Sequence, residues 1–214
     1  MPPPSADRPF SGRRIGVFGG SFDPPHVGHA IVARELVEQL RLERLLVIPA
    51  ADPPHRSAVL PAATRFELTR RLFRGIPRIE VSPLEFRRSG PSFTVDTLEE
   101  LARQFQDDRL ILAMGADRFA ALDGWKDPDR VRELARIAVM PRGGREPVSP
   151  PAATPIDYLV VNVTRIDVSA SRIRRRLREG RSVRHLVPES IRHDVERALA
   201  DRSGRPRNPA SPGC

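Results

Sequence analysis

Gly19-Gly20-Ser21-Phe22-Asp23-Pro24-Pro25-His26-Val27-Gly28-His29 separates two apolar runs of different period. Before it, Arg14-Ile15-Gly16-Val17-Phe18 is short and apolar with β-branched residues, the composition of a buried strand. After it, Ala30 to Leu40 sets Ile31, Val32, Leu36, Val37 and Leu40 on one helical face. The quoted stretch is therefore a strand-to-helix turn, where parallel α/β sheets keep their ligand crevices.

Its residue types suit a phosphate. Gly19 and Gly20 let a ligand approach the main chain closely, and Ser21 and Phe22 continue the same turn. The helix that follows directs free N–H groups and its positive dipole end back at the turn. His26 and His29 are three apart, so in a first helical turn both rings look the same way. Two imidazoles beside an anion can donate to oxygens whose charge grows during group transfer. Alone, either histidine reads as a cap or a packed surface ring. Other motifs fail: a Walker loop needs Gly-Lys-Ser/Thr, a dinucleotide fingerprint needs Gly-x-Gly-x-x-Gly, and zinc lacks a third ligand nearer than Glu35.

Outward from the turn, strands are expected at Arg44–Pro49, Arg78–Ser82, Arg109–Gly115, Arg136–Met140 and Asp157–Val163. Helices are expected at Thr64–Leu72, from about Thr94 to Phe105, after Ser171, and over Pro188–Ala200. Strand–helix–strand spacing of this kind implies right-handed parallel crossovers and a doubly wound, Rossmann-like α/β sheet with a helical C-terminal part. Residues 14–201 read as one domain, with proline-rich 1–13 and polar 202–214 as disordered tails and 143–156 as a flexible loop or lid.

Further candidates lie at strand ends. Arg56, in the loop after the second strand, can fork onto a phosphate or be a surface arginine. Thr94 or Ser92 can cap the helix that follows, whose N-terminus suits a small anion. Asp117 can accept from ribose hydroxyls or cap a helix. Trp125, the only tryptophan, sits in a polar loop and can stack on a flat, cationic heterocycle. Arg142 follows the fifth strand on the same sheet edge. Ser169 or Ser171 can cap a helix in which Arg174, one turn on, bends toward an anion.

The turn resembles the nucleotidyltransferase signature with its His-x-Gly-His core, and in its long form is most similar to bacterial nicotinate-nucleotide adenylyltransferases. Pro53-Pro54-His55-Arg56, Pro91-Ser92-Phe93-Thr94-Val95-Asp96-Thr97, Gly115-Ala116-Asp117 with Trp125-Lys126, and Val168-Ser169-Ala170-Ser171-Arg172-Ile173-Arg174 resemble further family stretches. Arg56 stands where the family has Lys, Arg118 where it has Asn, Val168 for Ile and Ser171 for Thr. The resemblance covers roughly residues 14–200 and implies adenylyl transfer from ATP, with Mg2+, onto nicotinate mononucleotide without a covalent intermediate. It implies His26, His29 and Arg174 as catalytic. Gly19, Gly20, Ser21, Phe22, Ser169, Ser171 and Arg142 fall to ATP, and Thr94, Trp125, Asp117 and Arg56 to the mononucleotide. Sister enzymes acting on the amidated mononucleotide or on phosphopantetheine are the nearest alternatives.

The composition, 29% charged and 39% hydrophobic over 214 residues, is that of a water-soluble globular protein. No apolar run approaches a membrane span, the N-terminus lacks a signal-peptide core, and Cys214 is the only cysteine, so the cytoplasm is the expected compartment. Net charge is +9, of which 13 Arg against 6 Asp and Glu after Thr164 supply +7. That opens a non-enzymatic, nucleic-acid-binding reading. Only 5% aromatic residues argue against a stacking platform, and a basic helical end more often is solvated or faces small phosphorylated ligands. The sequence leaves a homo-oligomer open.

Overall fold

A computed structural model describes residues 12–54, 57–141 and 157–203. Strands β1 (Arg14–Gly20), β2 (Arg44–Pro49), β3 (Ile79–Val81), β4 (Arg109–Gly115), β5 (Arg136–Met140) and β6 (Tyr158–Val160) form one sheet. Their order is β3-β2-β1-β4-β5-β6, and every pairing between them is parallel. The order reverses direction between β1 and β4, which places the switch point of a doubly wound fold at the carboxyl end of β1.

Both faces of this sheet are covered, so its strands carry continuous apolar runs whose side chains alternate between two cores. Ile15 and Val17 of β1, Leu46 and Ile48 of β2, and Leu110, Leu112 and Met114 of β4 pack on the side of α3 (Thr94–Gln104), α4 (Ala116–Ala120) and α5 (Pro128–Leu134). Phe18, Leu45, Val47, Ile111 and Ala113 face α1 (Val27–Gln39), α2 (Ala62–Leu72), α6 (Ala170–Arg178) and α7 (Glu189–Ser203). Gly16 falls on the second side, where a Cβ would stand 2.5 Å from Leu42 and 2.6 Å from Leu45. The Leu42 and Leu45 methyl groups occupy that space, so a side chain at Gly16 would require both to move.

The structure departs from the sequence reading in several places. Ile31 is exposed, and the buried face of α1 runs instead through Ala33, Leu36, Val37 and Leu40 at the 3-4-7 spacing of a helix. α1 begins at Val27, three residues earlier than its apolar stripe suggests. Neither Thr94 nor Ser92 caps α3: its N-cap is Phe93, Thr94 is the first helical residue, and the Ser92 hydroxyl accepts from the Asp52 N–H at 3.1 Å. α4 and α5 fill the segment around Trp125, where the sequence reading offered only a helix after Asp117, without bounds. The last strand spans three residues only, since Thr164 beyond it is drawn to the Glu35 carboxylate. Of the expected N-terminal tail, residues 1–11 lie outside the described ones, whereas Arg13 is fixed by Asp108 through main chain and guanidinium. The expected lid, Arg56 and Arg142 also lie outside the described residues, as do 204–214.

Candidate active site

The turn after β1 is built around the Phe22 ring. Phe22 has a left-handed backbone (φ 45°) and is 2% exposed, so its ring folds back into the core instead of facing ligand. There it meets Phe18 edge-on at 5.8 Å and lies 4.8 Å from the His29 ring. The expected ATP contact of Phe22 is thus confined to its backbone, and its side chain supports a histidine. Gly19 is the opposite case: a Cβ there would meet nothing within 4 Å, so its small size leaves open room at the mouth of the turn.

His26 is the N-cap of α1 and His29 its third residue. The His26 N–H donates to His29 Nδ1 at 3.1 Å, and the His29 N–H donates to the His26 carbonyl at 3.0 Å. The rings stack 3.8 Å apart, 24° from parallel. Because Nδ1 of His29 accepts, the neutral ring carries its proton on Nε2. Nδ1 of His26 faces the first-turn N–H without forming a proper hydrogen bond, and it is shut off from solvent. Burial pushes the His26 imidazole down to about 4 and pushes His29 well below its ordinary value, with the neighbouring His26 charge adding to the latter. Both rings are therefore neutral donors at pH 7. A Cβ on Gly28 would stand 3.1 Å from the His26 ring and push it a few tenths of an ångström off the helix start.

Asp23 ties this turn to two distant segments. Its carboxylate, 5% exposed, accepts from Val59 N–H at 2.7 Å and Leu60 N–H at 2.9 Å. Arg174 of α6 donates to the Asp23 carbonyl, and its Nη1 lies 3.6 Å from the Asp23 carboxylate. The Val27 N–H donates to the Leu186 carbonyl at 3.1 Å, which adds a second link to the chain beyond α6. The two phosphate-type turns, 151 residues apart, therefore meet. At the start of α6 the Ser169 hydroxyl accepts from Arg172 N–H at 3.2 Å and stands 3.1 Å from the Ser171 hydroxyl. Of the two caps the sequence offers, Ser169 is the one used, and Ser171 leaves its hydroxyl beside it.

Arg65 was not singled out from the sequence, yet it is 1% exposed and holds four backbone carbonyls. Nη1 donates to Ser21 at 2.8 Å and Ala50 at 2.6 Å, Nη2 to Ala51 at 3.0 Å, and Nε to Leu60 at 3.2 Å. A planar fork with five donors is the one side chain able to satisfy carbonyls from three segments at once. Its signal in the sequence is position: Arg65, Leu68, Thr69 and Leu72 share one buried helical stripe.

A cavity of about 190 Å³ opens at the carboxyl ends of β1 and β4, the switch point of the sheet. Gly19, Gly20 and Ser21 form one wall, and Ser92, Phe93, Thr94, Trp125 and Lys126 form the other. The rings of His26 and His29 are not part of its wall. Asp117 lies in the first turn of α4, which is capped by Gly115, so it is not the cap. Its neighbours Gly115 and Arg118 line the cavity. α3 presents its N-terminus to the cavity with no side-chain cap. Behind it the buried Glu85 carboxyl accepts from Thr97 Oγ1 at 2.8 Å, and Arg88 donates to the same hydroxyl at 2.7 Å. Burial pushes the Glu85 carboxyl up, and its Oε2 has no hydrogen-bond partner. Among the described residues no group of three His, Cys, Asp or Glu side chains is arranged to hold a metal ion.

Residues 17–176 match the cytidylyltransferase-like family model. A probable nicotinate-nucleotide adenylyltransferase of Thermus thermophilus is 42% identical over 184 residues, which covers 86% of this chain and 97% of the relative. One from Gemmatimonas aurantiaca is 40% identical, covering 83% and 87%. Among solved structures, the nicotinic acid mononucleotide adenylyltransferase of Plasmodium falciparum complexed with NaAD superposes with a TM-score of 0.71. At 16% identity, over 90% of this chain and 98% of that one, it speaks for the fold alone. Fold, turns and sequence likeness converge: the chain belongs to the nicotinate-nucleotide adenylyltransferase family, within the cytidylyltransferase-like group.

Proposed function

We propose that this chain transfers the adenylyl group of ATP to the phosphate of nicotinate mononucleotide, releasing pyrophosphate and forming deamido-NAD. The observation that carries this reading is a cavity with the glycine turn on one side and Trp125 on the other, next to a clasp that joins the histidine turn to α6. On the first side the glycine turn offers main-chain N–H groups suited to phosphates, with the stacked histidines and Arg174 nearby but outside the cavity wall. On the other, Trp125 faces an uncapped helix terminus, which suits an aromatic cation bearing a carboxylate.

The acceptor phosphate, with a second pKa near 6, is already largely dianionic and needs no general base. Catalysis is then in-line positioning together with neutralisation of charge on the transferring and leaving phosphates. His29 Nε2–H and the His26 ring would donate to those oxygens. Ser169, Ser171 and Arg174 would hold the tail of ATP, with Arg142 a further arginine on that edge. Arg56 and Asp117 would serve the mononucleotide. Asp23 is committed to two N–H groups and an arginine, and no metal cluster exists among the described residues, so Mg2+ fits as a companion of the ATP phosphates. It would supply charge neutralisation there.

The test is pyrophosphate release with Mg·ATP and, in turn, nicotinate mononucleotide, its amide and phosphopantetheine. Turnover is expected with the first, and His29→Ala should lower kcat by about 10²–10³ while leaving the melting temperature within a few degrees. An enzyme that releases no pyrophosphate with any acceptor, or a fully active His29→Ala variant, refutes the reading.

A further inference from the structure

Lys126 and Asp96 face each other across the pyridine end of the cavity. Lys126 follows Trp125 in the loop before α5, and Asp96 lies in the first turn of α3. The ammonium contacts both Asp96 oxygens, at 2.8 and 3.1 Å, and stands 4.9 Å from the centre of the Phe93 ring. Phe93 is the N-cap residue of α3, and Phe93, Thr94 and Lys126 all line the cavity. The lysine head group is therefore held at the start of α3, between the Phe93 ring and the Asp96 carboxylate, on a helix that has no side-chain cap.

We propose that Lys126 is a specificity-determining residue, selecting a carboxylate over a carboxamide on the bound pyridine ring. This rests on the functional reading above. Asp96 alone would place a negative charge in the turn that is meant to receive an anion, and an acid substrate would be repelled. Lys126 cancels that charge, so the pair is neutral and the acid is no longer repelled. A neutral amide gains nothing from that cancellation. The remaining charges at this end leave the assignment intact. Glu85 also lines the cavity, where its carboxyl and the Arg88 guanidinium both bond the Thr97 hydroxyl, so an opposite charge accompanies it in every variant compared. Arg118 lines the cavity from α4 and is unchanged in every variant compared.

The pair is an exposed one, its side chains 49% and 35% accessible, so it contributes little to stability and its removal should leave the fold intact. A second ion pair, Arg130 to Glu99 at 3.3 Å, ties α5 to α3 independently and keeps the Trp125 loop in place.

The experiment measures kcat/KM of the full-length protein for nicotinate mononucleotide and for its amide, in wild type, Lys126→Gln, Asp96→Asn and the double variant. Wild-type turnover of the acid checks the functional reading itself. Lys126→Gln should lower the acid-to-amide ratio about tenfold, mainly through KM of the acid. Adding Asp96→Asn should recover most of that loss, because the uncompensated carboxylate is gone. An unchanged ratio, or an equal fall for both acceptors as from a displaced Trp125, overturns the assignment.

Discussion

The two histidines combine proximity with an absence of charge. Stacked 3.8 Å apart, both cannot be protonated cheaply, and burial already disfavours protonation of either. The consequence for stability has a definite sign. His26 titrates near its ordinary 6.5 in the unfolded chain and at about 4 in the fold, so the unfolded state binds more protons between those values. Stability from this group is complete above pH 6.5 and is lost as the pH falls toward 4, by about 3 kcal/mol at most. His29 acts in the same direction. Urea denaturation of the ligand-free protein should therefore show a falling midpoint from pH 7 to 5, above the range where most carboxylates titrate. A His26→Asn variant should flatten that dependence, and a wild-type midpoint that stays level over the same range contradicts the buried, neutral pair. ATP should oppose the loss, since its phosphates favour protonated imidazoles.

At the scale of elements, the loops on the sheet's carboxyl edge are held by one side chain from α2. Arg65 satisfies carbonyls of Ser21, Ala50, Ala51 and Leu60, so the turn after β1 and the turn after β2 are fixed relative to each other. Arg65→Met leaves these acceptors without a donor and should cost about 3–5 kcal/mol in urea denaturation. Arg65→Lys keeps a charge but cannot reach three segments, and should recover less than half; a lysine variant with the wild-type midpoint would show that the fork geometry is unnecessary. This organiser was hard to read in the sequence because an arginine in a helix is ordinarily solvated, and only its place among Leu68, Thr69 and Leu72 hints otherwise. The strands were legible for the opposite reason. Buried on both faces, β1, β2, β4 and β5 carry uninterrupted apolar runs bounded by glycine or proline. α4 and α5 could not be bounded because they are five and seven residues long, too short for a periodic pattern. Within the site, local motifs such as the histidine pair and the Ser169 cap could be read directly. The Arg174–Asp23 and Lys126–Asp96 contacts join residues 151 and 30 apart, and pairings of that kind are set by topology alone.

For the whole molecule the question is what the excess positive charge serves. Much of the +9 lies in the C-terminal fifty residues, and α6 carries Arg172, Arg175, Arg176 and Arg178 around a groove that also holds Ser169 and Ser171. Several of these arginines are already engaged within the chain. Arg172 pairs with Asp167 at 3.3 Å, Arg176 donates to the Ser182 carbonyl at 2.9 Å, and Arg181 at the groove's end pairs with Glu179 at 3.4 Å. The groove starts at the N-terminus of α6, the helix whose Arg174 clasps the turn after β1, and is compact enough for a small phosphorylated ligand. A nucleic-acid surface has different needs: cations spaced along a duplex backbone and a binding constant that falls steeply with salt. Duplex titrations from 50 to 200 mM salt should accordingly give a shallow slope, equivalent to about three phosphates or fewer, and Mg·ATP should displace whatever is bound. A slope equivalent to about six phosphates or more, unaffected by ATP, would assign the basic end to a nucleic acid and separate it from the cleft.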